Sequence, residues 1–333
     1  MVMTARPKHV AEHAPDHPGG GPRRRWRFPV LAFVAGLAAW LGMCVALYPT
    51  VASWFSQYDQ SRLVTTYSSE VATGLSPSAA AQLEEAHEYN DALNAGALLE
   101  ADHRLPTGEG TSSNDDLDYA KILTTDATGM MARIKIPSID VDLPIYHGTS
   151  DATLAKGIGH LEGTSLPVGG AGTHAVLTGH RGLATATLFT NLNKVKVGDT
   201  FTLEVLDQVL TYRVFDTKVV DPDQTESLRT VEGKDLVTLV TCTPLGINSQ
   251  RILVTGERIT PTPQEDVDAA GQSPDVPGFP WWAVVLVGGT VLVGVYVWRS
   301  GYPAKVRTEA GTGAETGSAA GTPIPDSQVP HLP

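Results

Sequence analysis

Hydrophobic residues are distributed in three ways along the 333-residue chain. The first is the uninterrupted run, which occurs twice. Phe28 to Tyr48 carries no charge and is followed by Pro49. A run of about 20 apolar residues crosses a bilayer as a helix. A secretory signal is the competing reading. The run is long for one, and Ala46-Leu-Tyr-Pro-Thr50 offers no small-residue cleavage site, so an uncleaved anchor is favoured. Phe279 to Trp298 is the second run, bracketed by Trp281, Trp282 and Trp298, as aromatic anchors at the two interfaces would be. Arg23, Arg24, Arg25 and Arg27 precede the first run, and Arg299, Lys305 and Arg307 follow the second. The positive-inside rule then places both termini in the cytoplasm and residues 50–278 outside.

The second pattern is helical. Ala79 to Leu93 follows Pro77 and Ser78, a start signal, and residues 51–128 read as a helical extension with a loop over 105–115. From Gly129 the period shortens to two. Met131–Ile136 alternates, and Val141–Tyr146, Thr173–Thr178, Thr200–Leu206, Val209–Val220, Leu236–Cys242 and Arg251–Ile259 are further strand candidates. Short strands punctuated by Gly, Pro and Asp predict a mainly β domain, a barrel or a sandwich, with a few short helices. The chain thus divides into a disordered cytoplasmic tail (1–27), a transmembrane helix (28–50), an extracellular helical extension (51–128), a β domain (129–262), a linker (263–278), a second transmembrane helix (279–298) and a second disordered tail (299–333).

Charge narrows the partners. The formal net charge is −12, and no basic patch lies in the middle of the chain. Nucleic acid is excluded as a partner, because phosphate binding needs clustered Lys and Arg. The acidic excess sits between Glu84 and Asp118, opposed there by Arg104 alone, and reads as a solvated face. Its carboxylates are too scattered for a calcium loop. Histidines of the β region lack metal-ligand spacing, so neither a metal nor an organic cofactor is expected.

Cys44 and Cys242 are the two cysteines. Cys44 lies in the first apolar run, so Cys242 is left as a lone thiol outside the membrane, which points to chemistry. Thr238, Val240 and Cys242 share one face of a strand that Thr243-Pro244 ends. A thiol there can face a groove, although a buried structural cysteine is the commoner case. His180 stands at another strand end within Gly179-His-Arg-Gly182, where glycines permit close approach of backbone and ligand. His147, His160 and His174 are the competing histidines of the β region. Arg251 opens the strand after Cys242, and the turn-like Thr243 to Asn248 can bring the two to one end of an antiparallel pair. Its fork of donors suits a developing oxyanion.

These segments resemble a known family. Thr238-Leu-Val-Thr-Cys242 resembles the sortase signature Thr-Leu-x-Thr-Cys, Thr178-Gly-His180 its histidine segment, and Arg251 falls where the family has its arginine. The resemblance covers about residues 130–259. Cys242-Thr-Pro-Leu-Gly-Ile-Asn248 and the two anchors resemble class C, the pilin-polymerising sortases. The resemblance implies an eight-stranded sortase-type β-barrel. It also implies a cysteine transpeptidase in which Cys242 attacks the Thr carbonyl of a Leu-Pro-x-Thr-Gly-like sorting signal, His180 transfers protons and Arg251 holds the oxyanion. The partners it implies are a pilin or surface protein and an amine acceptor, either a pilin Lys or a cell-wall cross-bridge. Gln250 departs from the class, which often has His before the Arg. The Asp-Pro-aromatic unit of a class C lid is absent from residues 95–125, and Asn114 to Tyr119 is the nearest stand-in. The alternatives are a sortase of another class that anchors proteins to the cell wall, a non-catalytic adhesin or scaffold, and a hydrolytic cysteine protease of a different fold.

Overall fold

Strand boundaries follow the turn chemistry closely. A computed structural model describes residues 25–75, 77–94, 97–98, 107–108, 111–112, 117–125 and 128–302. The outer parts of both tails, and residues 105–106, 109–110 and 113–116 in and beside the expected loop, lie outside the described residues. Eight strands form a closed barrel: β1 (Ala132–Ile136), β2 (Val141–His147), β3 (Ile158–His160), β4 (Thr173–Thr178), β5 (Thr200–Val205), β6 (Gln208–Val220), β7 (Asp235–Thr243) and β8 (Gln250–Arg258). Their order around the barrel is β6-β8-β7-β4-β3-β2-β1-β5, closing on β6. The turn between β1 and β2 uses Asp140 at φ 53°, a conformation Asp tolerates better than most residues. Most neighbours are antiparallel, but β7 runs parallel to β4, and β2 to β3.

The two faces of the central strands pack into different clusters. Ala175 and Leu177 of β4, Val237 and Leu239 of β7, and Ile252 and Val254 of β8 belong to the main barrel core. The alternate residues Val176, Val240 and Leu253 join Leu161, Val220 and Leu228 in a second, smaller cluster. Both faces are therefore covered, which is why β7 is buried without a break from Leu236 to Cys242, its threonines included.

Helices precede, interrupt and follow the barrel strands along the chain. α1 (Val30–Thr73) has 44 residues with Pro49 inside it. α2 (Ala79–Ala92) is capped by Ser78, whose side chain accepts from the Ala81 N–H. The helical extension ends there. Leu93–Asn94 pairs with Thr111–Ser112, and Ala97–Leu98 with Thr107–Gly108, so strand pairs occupy part of the stretch read as helix and loop. α3 (Asp151–Lys156) precedes β3, a three-residue strand too short to leave a period of its own.

The segment read as a linker holds α4 (Gln264–Asp268) and is tied to the barrel. Arg133, 1% exposed, grips Asp142 through two 2.6 Å bonds and Glu204 at 3.2 Å, and donates to the Gln272 carbonyl at 2.8 Å. Lys135 pairs with Glu204 and donates to the Ala269 carbonyl. α5 (Trp281–Ser300) is the second apolar helix.

The molecule divides into two units, residues 1–37 with 293–333, and residues 38–292. In the first, the Trp26 indole N–H donates to the Trp298 carbonyl. In the second, Trp40 donates to Thr290 Oγ1 and Trp54 to the Gly278 carbonyl. The second unit contains the barrel.

Candidate active site

Register brings the three residues of interest together. β7 pairs with β8 so that Cys242 is the direct partner of Arg251. β7 also pairs in parallel with β4 up to Val240 opposite Thr178. Two bonds carry that pairing one residue further: the Gly179 N–H donates to the Val240 carbonyl at 3.1 Å, and the Thr241 hydroxyl to the Gly179 carbonyl at 2.7 Å. His180 comes next, abreast of the end of β7 where Cys242 lies. Period two assigns the face. Val240 and Leu253 belong to the smaller cluster, so Cys242 and Arg251, two residues along each strand, lie on that same side, away from the main barrel core.

Loops close around this strand end. The Phe189 N–H donates to the His180 carbonyl at 3.1 Å, which folds residues 180–189 back on themselves. Arg181 donates through Nη1 to Thr243 Oγ1 at 2.8 Å and through Nε to the Thr190 carbonyl at 3.3 Å, so the residue after His180 grips the residue after Cys242. A Cβ at Gly182, where φ is 77°, would collide with the Leu245 side chain. Leu245 and Ile247 of the loop after Cys242 are exposed at 53% and 73%, apolar side chains presented to solvent beside the thiol.

Burial sets the character of each group. Cys242 is 6% exposed and Arg251 is fully buried. Arg251 donates through Nη1 to the Asn248 carbonyl at 2.9 Å and the Gln250 carbonyl at 3.1 Å. Asn248 sits at φ 58° in a turn whose Ile247 and Asn248 N–H groups return to the Pro244 carbonyl. That turn aims the Asn248 carbonyl at the guanidinium and fixes it beside the thiol strand. Gln250, at the position where His was expected, instead donates to Asp221 Oδ1 at 3.1 Å.

The competing histidines have other work. His160 is fully buried, bonded through Nε2 to the Ser165 carbonyl at 2.8 Å and through Nδ1 to the Tyr119 hydroxyl at 2.9 Å. Burial pushes its pKa down to about 4. His174 bridges the Arg229 carbonyl and Thr238 Oγ1, and His147 meets the Ile122 carbonyl. Burial lowers both of their pKa values as well. All three hold strands and loops to one another.

Sequence reading missed Arg181 and Asn248 as organisers of the site. The only signal was a basic residue between His180 and Gly182, and an Asn at a turn, where left-handed backbone is tolerated. Among the described residues, no group of three His, Cys, Asp or Glu side chains is placed to hold a metal. A buried thiol abreast of a histidine and opposite a buried arginine can perform nucleophilic acyl transfer with proton exchange and oxyanion stabilisation.

The chain is similar to known proteins of one family. A family model described as a sortase domain matches residues 134–259. Sortase D of Bacillus subtilis (strain 168) is 32% identical over 155 residues, covering 45% of this chain and 75% of that protein. Sortase A of Bacillus anthracis is 30% identical over 150 residues, covering 44% of this chain and 70% of that protein. Among solved structures, sortase C1 from Streptococcus agalactiae superposes with a TM-score of 0.53 at 41% identity, over 60% of this chain and all of that one. Sortase C from Streptococcus pneumoniae, whose structure is described in terms of catalysis and pilin substrate specificity, gives 0.52 at 39% identity, over 60% of this chain and 96% of that one.

Proposed function

This chain belongs to the sortase family, with class C sortases among its structural neighbours, and on that premise we propose that it is a membrane-anchored transpeptidase that assembles pili outside the cell. The observation that carries the reading is the register: Cys242 opposite Arg251 on one side, and the parallel pairing that runs into Gly179-His180 on the other.

The proposed reaction has two halves. The Cys242 thiolate attacks the Thr carbonyl of a Leu-Pro-x-Thr-Gly-like signal. Negative charge gathers on the carbonyl oxygen, and the Arg251 guanidinium supplies donors already fixed by the Asn248 and Gln250 carbonyls. Collapse breaks the Thr–Gly bond, and His180 gives its proton to the leaving amine. The thioester then meets an incoming amine. His180 removes the amine's proton, nitrogen attacks the thioester carbon, and Cys242 leaves as the thiolate. Splitting the transfer this way lets an amine, rather than water, resolve the intermediate. The acceptor in this reading is a Lys of the next pilin.

Two apolar helices, Val30–Thr73 and Trp281–Ser300, support anchoring at both ends of the catalytic unit, with both termini cytoplasmic and the barrel outside. Cell-wall attachment, with a cross-bridge amine as acceptor, is the neighbouring reading. The distinguishing experiment incubates full-length protein and a sorting-signal peptide with pilin-derived Lys peptides or with cross-bridge amines. Preferential coupling to the Lys peptide supports pilus assembly. Preferential coupling to the cross-bridge amine overturns it in favour of wall anchoring, and hydrolysis alone in the presence of both overturns transpeptidation.

A further inference from the structure

The loop that follows His180 is held from outside the barrel by the anchor helix. Gln57 Nε2 donates to Thr187 Oγ1 at 2.9 Å, and Ser53 Oγ lies 3.1 Å from the same oxygen. Ser53 and Gln57 are one turn apart on α1, so they present both groups on one stripe. Thr187 in turn organises the loop. Its carbonyl accepts from the Thr190 N–H at 2.8 Å, Thr190 Oγ1 accepts from the Gly182 N–H at 3.1 Å, and the Thr190 carbonyl accepts from Arg181. His180 is bracketed by these bonds and by the one its own carbonyl accepts from Phe189.

The loop has little other support on this side. Ala186, Leu188 and Phe189 are buried toward the barrel. Thr187 instead lines an open cavity of about 550 Å³ shared with Trp54, Leu183 and Trp282. Without its partners on α1, the Leu183–Thr190 stretch has that space to relax into. The clamp lies close to the apolar run: Gln57 is nine residues beyond Tyr48, about 14 Å along the helix axis. The clamp thus lies on the same helix, α1, as the apolar run.

We infer that Gln57 and Ser53 of the anchor helix are positioning residues for the histidine of the transpeptidase, acting on it through Thr187. The inference rests on the catalytic reading of His180 given above. It assigns α1 a part in catalysis besides anchoring, since the helix completes the support of the active-site loop.

The test uses the full chain in lipid nanodiscs, with Thr187→Val, Thr187→Ser, Gln57→Leu and the Thr187→Val/Gln57→Leu double variant. Three quantities are read: kcat and KM for a sorting-signal peptide, the thermal midpoint, and amide exchange of residues 182–190. Thr187→Val keeps the volume and removes the oxygen. It lowers kcat about fivefold, the scale of one part-buried hydrogen bond, and speeds exchange in the loop by a similar factor. KM stays at its original value, and the thermal midpoint falls by only about 2–4 °C, the cost of that one bond. Thr187→Ser restores both rates, and Gln57→Leu adds nothing once the Thr187 oxygen is gone. Unchanged kcat and unchanged loop exchange in Thr187→Val overturn the inference. So does additivity of the two substitutions. A wild-type protein that forms no acyl adduct defeats the catalytic reading instead, and loop exchange still reports whether the clamp exists.

Discussion

A methyl group added at Gly179 probes how tightly the histidine segment is held. The residue before His180 lies between β4 and β7, and its N–H and C=O both bond to β7. Its φ is outside the left-handed region, so alanine can adopt the backbone, and space is the obstacle. A Cβ there would sit 2.7 Å from Ile158 Cδ1, 2.7 Å from Phe189 Cδ2 and 2.9 Å from Phe189 Cγ. Carbon atoms prefer about 3.5–4.0 Å, so the ring or the strand must yield by about 1 Å. Neither is free to do so cheaply, because Ile158 and Phe189 are both fully buried in the main core. Overpacking of this kind costs about 1–3 kcal/mol, or roughly 2–12 °C in Tm for a domain of this size. The catalytic effect is larger in proportion. Phe189 holds the His180 carbonyl through its own N–H, so a shift of the ring moves the imidazole, and a displacement of about 1 Å at a reacting group costs about 100-fold in rate. Gly179→Ala is assayed by kcat with a sorting-signal peptide at a temperature at least 15 °C below its own Tm, so that unfolding does not contribute. A variant with wild-type kcat and wild-type Tm would mean that the segment before His180 is not tightly packed.

Two further predictions concern stability. His160 titrates near 4 when folded against the usual 6.5, so the unfolded chain binds the proton first as pH falls. Its contribution is fully present above pH 6.5 and is lost on the way down to 4. Lowering pH from 7 to 5 removes about 2 kcal/mol through this residue. His147 and His174 add losses of the same sign, whereas Asp235, raised by burial, works in the opposite direction near the ordinary carboxylate range. Denaturant titrations of wild type and His160→Gln at the two pH values check this, since the variant should lose about 2 kcal/mol less, and equal losses would refute it. Arg133→Met leaves Asp142 without its cation and Glu204 with Lys135 alone, and should cost about 3–5 kcal/mol in chemical denaturation. Asp142→Asn in the same variant should recover most of that loss, and failure to recover would refute the assignment of the cost to uncompensated charge.

Much of the fold was legible in the sequence because period-two alternation and Gly, Pro and Asp punctuation are local signals. Seven of the barrel strands were bounded to within a residue or two that way, from Ala132–Ile136 to Gln250–Arg258. β3, three residues long, left no such trace. Closure of the barrel came from the family resemblance, since nothing local to β5 and β6 announces their partners across the sheet. The neighbourhood of Cys242 and Arg251 was legible because nine residues with a tight turn allow only a hairpin. The approach of β4 to β7 was not, because a parallel pairing joins segments some 60 residues apart through no local rule. For the same reason the Arg133 network and the Gln57–Thr187 bond were invisible in the sequence. They join polar side chains distant along the chain, and only the folded barrel brings them within reach. The strand pairs over Leu93–Ser112 replaced an expected helix and loop because Gly96, Gly108 and Gly110 interrupt the helical period there.

In the proposed reaction Cys242 is the acyl-accepting thiol. Intact-protein mass spectrometry after brief incubation with a sorting-signal peptide tests it most directly, followed by peptide mapping of the adduct. One acyl group per chain is expected, carried on Cys242 through a thioester that hydroxylamine cleaves, absent from Cys242→Ala and discharged by an added amine. An adduct mapped to another residue, or an adduct of undiminished yield in Cys242→Ala, would contradict it.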